Sequence, residues 1–538
     1  MKKASLKLVL AGISIGALVG CSSNSGVTTS TANTGDVPQI LQLAVKNDYT
    51  TTQPVGGWFN QSLQSNLMFR TLLVSEADLR SVKPDLASGY EVSDDHLTYT
   101  INLIEGNRWS DGEYVTPEDV KFSIEYNLLV TVSNQLYQNA FGNIVGATEW
   151  KNGTADEVSG ITIDGNDIII QLENPYSAFI PVLAQFDIIP KHAVENIDPD
   201  GFHNSEFWLN PVTNGMFMVD EVSVGSFYTL VPNPYSTETK PIIEKVVINW
   251  VPDYVTAVQN DQAYYYHTSS IDEMKILDSM SNMGSYMVDA MFYRYFVVNM
   301  QGIDGNQNPA MQDYRVRQAF MHAIDRDAID IGVLNNMASV INSGVSEEHP
   351  ANDGFVYEYD PVKARELLEE ADFDFDYTVR LLTYYTDQTA ENFMNAVAAY
   401  LGQIGVKTEL IFTTQGGLDL FTTRNYDLGY KGLSAFSIEE WYYEYLSTNE
   451  YFQHTIGGDT VFDDLVKQLE IEVNIEKRED ILRQLQQIEH DTLYKLPVFT
   501  LDQVIFINEG KLQIPDDIEF GNPFYECDIK FEEWRIIN

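Results

Sequence analysis

Cysteine and histidine are scarce in this chain, and their scarcity excludes several kinds of site. Cys21 and Cys527 are the two cysteines among 538 residues, so the ligand spacing of a zinc site is absent. The eight histidines are scattered, with no H-E-x-x-H motif or comparable metal-binding spacing. Acidic residues are so numerous that no single pair of carboxylates is informative. We find no catalytic constellation, and we predict a protein that is not an enzyme and holds neither a cofactor nor a metal ion.

Basic residues are also few relative to acidic ones. The chain has 32 lysines and arginines against 79 aspartates and glutamates, a formal net charge of −47. Residues 1–20 contain three lysines and no acid, so their removal lowers the charge to −50. A field of that sign repels nucleic acid and attracts cationic solutes. We therefore expect no nucleic-acid partner. We favour a solvated acidic surface as the cause of the charge, with selection for cationic ligands as the alternative.

Long apolar runs are absent except at residues 8–20, which follow the three lysines. A helix of that length rises about 20 Å and cannot cross a hydrocarbon core of ~30 Å. The run ends in L-V-G-C, which resembles a lipobox. We predict a lipoprotein signal peptide over 1–20, lipidation of Cys21 and a flexible tether over 21–38. The soluble body would then be lipid-anchored and extracytoplasmic, at the outer face of the cytoplasmic membrane or in the periplasm.

The rest of the chain predicts an α/β class with two or three domains. Its length exceeds what one core accommodates. Strand-like runs at 168–172, 246–251 and 379–382 alternate with capped helices. The segment 97–129 is the clearest example, because apolar and polar residues alternate from Leu97 to Leu103 and a helix start follows at Thr116 and Pro117. A second predicted helix has a core stripe of Val316, Ala319, Phe320 and Ala323 that leaves Arg315 and Arg317 outside it.

The exact residues of these segments are more specific than their alternation and capping patterns. Residues 97–129 contain W-S-D-G and T-P-E-D-V-K-F-S. This resembles the signature of the solute-binding proteins of family 5, the dipeptide and oligopeptide receptors of ATP-driven importers. Further segments resemble other parts of the same family, namely 175–192, 296–299, 313–326, 359–368 and 496–499. The resemblance covers nearly all of the chain after residue 40.

The resemblance implies a fold and a function. The fold would be a two-lobed, periplasmic-binding-protein-like venus flytrap of class II. Lobe I would take residues 39–59, 184–292 and 499–538, a subdomain inserted in it would take 60–183, and lobe II would take 293–498. The protein would be a monomeric substrate-binding protein that captures peptides between the lobes. It would deliver them to a membrane permease served by ATPase subunits.

One segment departs from the family where the peptide's α-ammonium group is bound. Leu433 stands in the place of the family's tryptophan and Phe436 in the place of its aspartate. Burying a neutral polar group without a hydrogen bond costs about 2–7 kcal/mol. Burying an ammonium group without a counter-charge therefore also costs several kcal/mol. Glu439 or Glu440 could replace the aspartate, or both could be N-terminal acids of the helix that contains Trp441. These alternatives stay open.

Aromatic residues supply the remaining candidates for the ligand site. Trp58 and Trp441 are predicted to line the cleft, although most aromatic residues in any chain belong to the core. Stacking on such rings suits sugars as well as apolar side chains. A receptor for an oligosaccharide or another small solute therefore remains an alternative to a peptide receptor.

Overall fold

The structure, a computed structural model, mixes strands and helices throughout. It describes residues 37–46 and 63–538, apart from positions 78, 80, 131–134, 303–307, 348, 435–438, 450, 454, 456–457 and 526. The strands are β1 Ile40–Lys46, β2 Leu73–Ser75, β3 Val82–Pro84, β4 Ala87–Val92, β5 Thr98–Leu103, β6 Ile161–Asp164, β7 Asp167–Gln171, β8 Phe217–Ser223, β9 Phe227–Pro232, β10 Lys245–Val251, β11 Tyr265–Thr268, β12 Met283–Val298, β13 Ala338–Val340, β14 Thr378–Thr383, β15 Lys407–Phe412, β16 Leu428–Ser434, β17 Lys495–Asn508, β18 Leu512–Gln513 and β19 Arg535–Ile536.

The helices lie mostly between strands and include several single turns. They are α1 Leu63–Asn66, α2 Pro117–Asn127, α3 Gln135–Gly142, α4 Ala147–Lys151, α5 Phe179–Leu183, α6 Lys191–Val194, α7 Tyr254–Gln259, α8 Ile271–Asp278, α9 Tyr314–Ala323, α10 Arg326–Ile329, α11 Pro361–Glu370, α12 Gln388–Gln403, α13 Gly416–Leu418, α14 Glu439–Tyr443, α15 Asp463–Ile471 and α16 Ile475–Thr492. Short 3-10 helices occur at Pro199–Asn204, Glu206–Leu209 and Phe531–Glu533, and π-helical turns at Asp330–Leu334 and Asp419–Thr423. Within the described ranges, no helix combines the length and the hydropathy that a membrane crossing requires.

Three larger sheets organise these elements. The first has the order β1-β10-β9-β8, with β1 parallel to β10. The second, β4-β5-β7-β6, comes entirely from residues inside the predicted insert at 60–183. The third has seven strands in the order β11-β17-β12-β16-β14-β15, with β13 on β17. The boundaries of the lobes and of the insert stay predictions.

Two long antiparallel strands, β12 and β17, are neighbours within the seven-stranded sheet and pair along most of their length. At one end β17 pairs with β11, and at the other end β12 pairs with β16. The pairing of β12 with β17 shifts register between Asp289 and Phe292 and again between Arg294 and Tyr295. Met291, within the first shift, has a left-handed φ of 45°. Such irregularities bend strands and increase their twist.

The local predictions for strands and helix starts are confirmed. The alternating segment forms β5, whose Tyr99, Ile101 and Leu103 are buried while the residues between them are half-buried. The three predicted strand runs correspond to β7, β10 and β14, and residues 496–499 lie in β17. Helix α2 begins at Pro117 after Thr116, as its capping pattern indicates.

Asp119, at the start of α2, joins two of the family-like segments. Its carboxylate accepts hydrogen bonds from the backbone N–H and hydroxyl of Thr116 at 2.8 and 3.0 Å. The indole N–H of Trp109 donates to it at 3.3 Å and the backbone N–H of Lys191 at 2.9 Å. Asp119 is 4% exposed. The motif therefore caps a helix and holds neighbouring loops together, which is a structural role.

In α9, Arg317 lies outside the stripe of Val316, Ala319 and Phe320, as predicted, and its side chain is nevertheless buried. Its guanidinium donates to the backbone carbonyl of Thr492 at 2.9 and 2.7 Å. The end of α16 covers this face of α9, and helical periodicity within one segment cannot show such a tertiary contact.

Candidate ligand-binding site

A cavity of about 310 Å³ lies beside the point where β11, β12 and β17 meet. Its walls come from residues between 266 and 273 at the end of β11 and the start of α8, from residues between 385 and 393 at the start of α12, and from Leu501 and Asp502 of β17. Pockets for small ligands are typically about 300–1,000 Å³. The cavity therefore lies at the small end of that range.

Arg294 is the single basic residue among the described residues that line this cavity. It belongs to β12, is 9% exposed, and its Nε and Nη1 atoms have no hydrogen-bond acceptor in the described part of the chain. Its Cζ atom lies 3.8 Å from the ring centroid of Tyr385 and 4.3 Å from that of Phe292. Aromatic faces attract a guanidinium, although they do not replace hydrogen-bond acceptors. The structure thus places a buried, unpaired cation at the cavity wall.

The acidic residues of the cavity wall have partners of their own. Glu273 accepts hydrogen bonds from the hydroxyl groups of Tyr266 and Thr268, each at 2.6 Å. Asp387 caps α12 by accepting the backbone N–H of Ala390 at 2.9 Å. Burial raises the pKa of Tyr430, another wall residue, to about 12, so its phenol stays neutral at physiological pH. The wall therefore offers hydroxyl donors, aromatic faces and carboxylates around one guanidinium.

The opposite face of β16 carries a separate ionic cluster, which we call the Glu444 cluster. Glu444 forms ion pairs with Lys431 and Lys495, each at 2.7 Å, and also accepts the hydroxyl of Tyr295. Lys495 additionally donates to the carbonyl of Trp441 at 2.8 Å. Burial alone would raise the pKa of Glu444, but the two lysines outweigh it and hold the pKa at about 2. This cluster fixes α14 against β12, β16 and β17.

The residues predicted from the sequence lie mostly on this second face. Strand side chains alternate between faces, so Leu433, opposite Tyr293, shares its face with Lys431 and not with Tyr430 or Gly432. Leu433 packs against the aromatic cluster around Tyr293. It does not line the cavity described above.

Trp441 and Glu440 lie in α14, beyond the end of β16. Trp441 is 1% exposed, and its ring centroid lies 4.9 Å from that of Tyr293. Glu440 is half-buried in the first turn. Neither residue lines the cavity. Only the backbone of Glu439 is described, where it begins α14, and Trp58, Phe436 and Cys21 lie outside the described residues. The ligand-binding roles of these residues stay predictions.

Sequence reasoning missed Arg294, Tyr385 and the space beside Gly432. One signal was present, because Arg294 interrupts the aromatic and apolar run M-F-Y-R-Y-F-V-V. Arginine is seldom buried unless it is paired, so an arginine inside a strand of this kind indicates either a buried partner or a ligand.

The fold and this site define a class of protein, namely two-lobed α/β binding proteins. The structure resembles that of CtaP, an ABC transporter substrate-binding protein from Listeria monocytogenes, with a TM-score of 0.75 and 20% identity over 93% of this chain and 100% of that one. The structure also resembles that of NikZ from Campylobacter jejuni, solved in complex with Ni(L-His). The TM-score is 0.71 and the sequence identity 21%, over 93% of this chain and 100% of that one. These likenesses confirm the predicted fold class.

The family follows from the sequence comparison. The profile of the bacterial extracellular solute-binding proteins, family 5 Middle, matches residues 81–461. The chain therefore belongs to this family, as the resemblance predicted. A putative ABC transporter peptide-binding protein of Brucella abortus is 28% identical over 343 residues, 63% of this chain and 62% of that relative. The glutathione-binding protein GsiB of Salmonella typhimurium is 26% identical over 379 residues, 68% of each. Membership of a solute-binding family agrees with the prediction that the chain is not an enzyme.

Proposed function

We propose that this protein is the extracytoplasmic substrate-binding protein of an ABC importer and that it captures short peptides in the cavity beside β12 and β17. The proposal rests on one observation, which is that residues of both predicted lobes form the cavity wall. Residues 266–273 belong to predicted lobe I, whereas Arg294, Tyr385 and Tyr430 belong to predicted lobe II. A ligand held there contacts both lobes.

Contact with both lobes couples binding to closure. A ligand that binds the closed form better than the open form stabilises closure by the difference in binding free energy. The long strands β12 and β17 cross the predicted lobe boundaries at 292–293 and 498–499, close to their register shifts. Bending at these irregular positions would let the lobes move without breaking the rest of the sheet.

The proposal includes the membrane side of the transport reaction. A lipid on Cys21 would hold the protein at the membrane surface, and residues 21–38 would let the body reach outward. The closed, loaded form would then dock on a permease, while ATP is hydrolysed by separate ATPase subunits. The lipobox-like sequence and the family membership support this part of the proposal.

Peptides are favoured over other solutes by the polar groups of the cavity. A peptide carries both an ammonium and a carboxylate group, and the wall contains carboxylates as well as Arg294. The names of the Brucella abortus and Salmonella relatives point to peptides and to glutathione. A second candidate is an oligosaccharide or another small solute, because Tyr385, Phe393 and Tyr430 offer aromatic faces in the same wall.

Thermal-shift measurements of the purified full chain against separate pools of di- and tripeptides, oligosaccharides and amines test the proposal. We expect peptides to raise the Tm, since a ligand that binds only the folded state stabilises it, and to reduce the radius of gyration in X-ray scattering. Shifts with sugars alone would replace the peptide assignment by the second candidate. No shift and no compaction in any pool would overturn the receptor function.

A pair of variants on one helix tests whether binding occurs in this cavity. Ala390 lines the cavity and Ala399 is exposed on the same helix, α12. Ala390→Leu adds side-chain volume inside the cavity, so we expect weaker peptide binding, whereas Ala399→Leu should bind as the wild type does. Equal affinities for the two variants would place the binding site elsewhere.

A further inference from the structure

We propose that the guanidinium of Arg294 binds a carboxylate group of the captured ligand, and that the protein therefore selects short peptides and related small acids with a free carboxylate. This inference rests on the proposed function and names its ligand class. Arg294 lines the cavity and is 9% exposed. Its Nε and Nη1 atoms have no hydrogen-bond acceptors among the described residues.

A buried charge without a partner is costly, and proteins rarely keep one without a use for it. The neighbours of Arg294 do not neutralise it, because Phe292 and Tyr385 contribute ring faces and not anions. The nearby carboxylates of Glu273 and Asp387 accept hydrogen bonds from their own elements. The guanidinium is left with donors in the planar arrangement that matches a carboxylate.

The strand opposite Arg294 makes room for its side chain. Arg294 pairs with Gly432 of β16, and a Cβ atom at position 432 would lie 2.9 Å from Cδ of Arg294. The N-termini of α8 and α12 also border the cavity through Ser270 and Asp387. The positive ends of these helix dipoles add to the attraction for an anion.

The size and the charge of the cavity narrow the ligand class. At about 310 Å³ the space suits a small ligand and not a long peptide. Glu273, Asp387 and Asp502 line the same cavity, so a ligand with an ammonium group as well as a carboxylate would find acceptors for the first and the donors of Arg294 for the second. Di- and tripeptides have this pair of groups.

The test compares each di- or tripeptide that binds the wild-type chain with the same peptide as its C-terminal amide, by calorimetry at 0.15 M salt. We expect the amide to bind at least about tenfold more weakly, because charge-assisted hydrogen bonds to Arg294 are lost. The net charge of the chain, −47, would favour the more positive amide. Weaker binding of the amide therefore cannot come from the long-range field.

The variant Arg294→Gln tests whether the difference in affinity between acid and amide comes from this residue. Arg315→Gln is the control, because Arg315 is half-exposed and pairs with Asp313. We expect Arg294→Gln to bind acid and amide equally weakly and Arg315→Gln to keep the wild-type difference. If Arg294→Gln does not fold, a crystal structure of the wild-type complex decides the matter. A ligand carboxylate oxygen within about 3.2 Å of the guanidinium supports the assignment.

Four results would overturn the inference. Equal binding of acid and amide by the wild type, or an undiminished difference in Arg294→Gln, removes the carboxylate site but leaves a peptide receptor. A carboxylate that lies away from Arg294 in the complex has the same consequence. The absence of binding by every peptide removes the peptide assignment of the proposed function and this inference together.

Discussion

Gly432 lies opposite Arg294 across the pairing of β12 with β16, so close that an added Cβ atom would lie 2.9 Å from Cδ of Arg294 and 3.1 Å from the carbonyl oxygen of Tyr293. The lack of a side chain at one position therefore permits the placement of the guanidinium at the other. This relationship connects the sequence of an ordinary strand to the chemistry of the cavity.

The first prediction concerns that glycine. Gly432→Ala should displace Arg294 and weaken peptide binding about tenfold or more, with a loss of about 1–3 kcal/mol in the free energy of unfolding from overpacking. Calorimetry and urea unfolding measure the two effects. Gly402→Ala in α12 is the matched control, because a Cβ there meets nothing within 4 Å, and it should leave binding unchanged. Unchanged binding in both variants would contradict the prediction.

The second prediction concerns the Glu444 cluster. Glu444→Gln leaves Lys431 and Lys495 buried without their shared counter-charge, so the free energy of unfolding should fall by about 3–5 kcal/mol. Glu369→Gln is the control, since Glu369 forms an exposed pair with Arg365 and such pairs contribute less than about 1 kcal/mol. Denaturant unfolding of both variants measures the difference, and similar small losses would show that the cluster is not stabilising.

The third prediction is a pH dependence of the same carboxylate. The pKa of Glu444 is lowered from 4.5 to about 2 in the folded protein. A lowered pKa contributes stability that is present above the unfolded pKa and is lost as the pH falls toward the folded one. The contribution, about 3 kcal/mol, should therefore disappear between about pH 4.5 and 2. The stability difference between wild type and Glu444→Gln should shrink across that window. A constant difference would contradict the assigned shift.

The fourth prediction concerns Arg326, which belongs to the family-like segment A-I-D-R. Its guanidinium donates to the backbone carbonyls of Ile341 at 2.6 Å and Tyr357 at 3.0 Å and to the side chain of Asn342 at 2.8 Å. A lysine cannot reach all of these acceptors. Arg326→Lys should lower the free energy of unfolding by about 2–3 kcal/mol.

The control for that prediction is the exposed Arg315. Arg315→Lys should cost less than about 1 kcal/mol, because its partner Asp313 is also near the surface. Peptide affinity of the folded Arg326→Lys variant should remain that of the wild type, since Arg326 does not line the cavity. A loss of affinity without a loss of stability would give Arg326 a role in binding.

Local signals in the sequence were sufficient for much of the fold. Thr116 and Pro117 placed the start of α2, alternation placed β5, and the family-like segments indicated a two-lobed architecture. Contacts between distant segments were beyond this reasoning. Arg317 is buried because the end of α16 covers it, and nothing in its own helix indicates that contact.

The candidate site shows which features the sequence could predict and which features depended on the tertiary structure. The sequence by itself placed individual helices and strands, because capping and alternation act over a few residues, and the resemblance of its motifs to family 5 indicated the class of protein. It also directed attention to β16. Tertiary structure alone decided that Leu433 faces the aromatic cluster and Gly432 faces Arg294, because the pairing of β16 with β12 sets which face each side chain occupies. Whether a buried arginine has a partner likewise depends on neighbours far away in the chain.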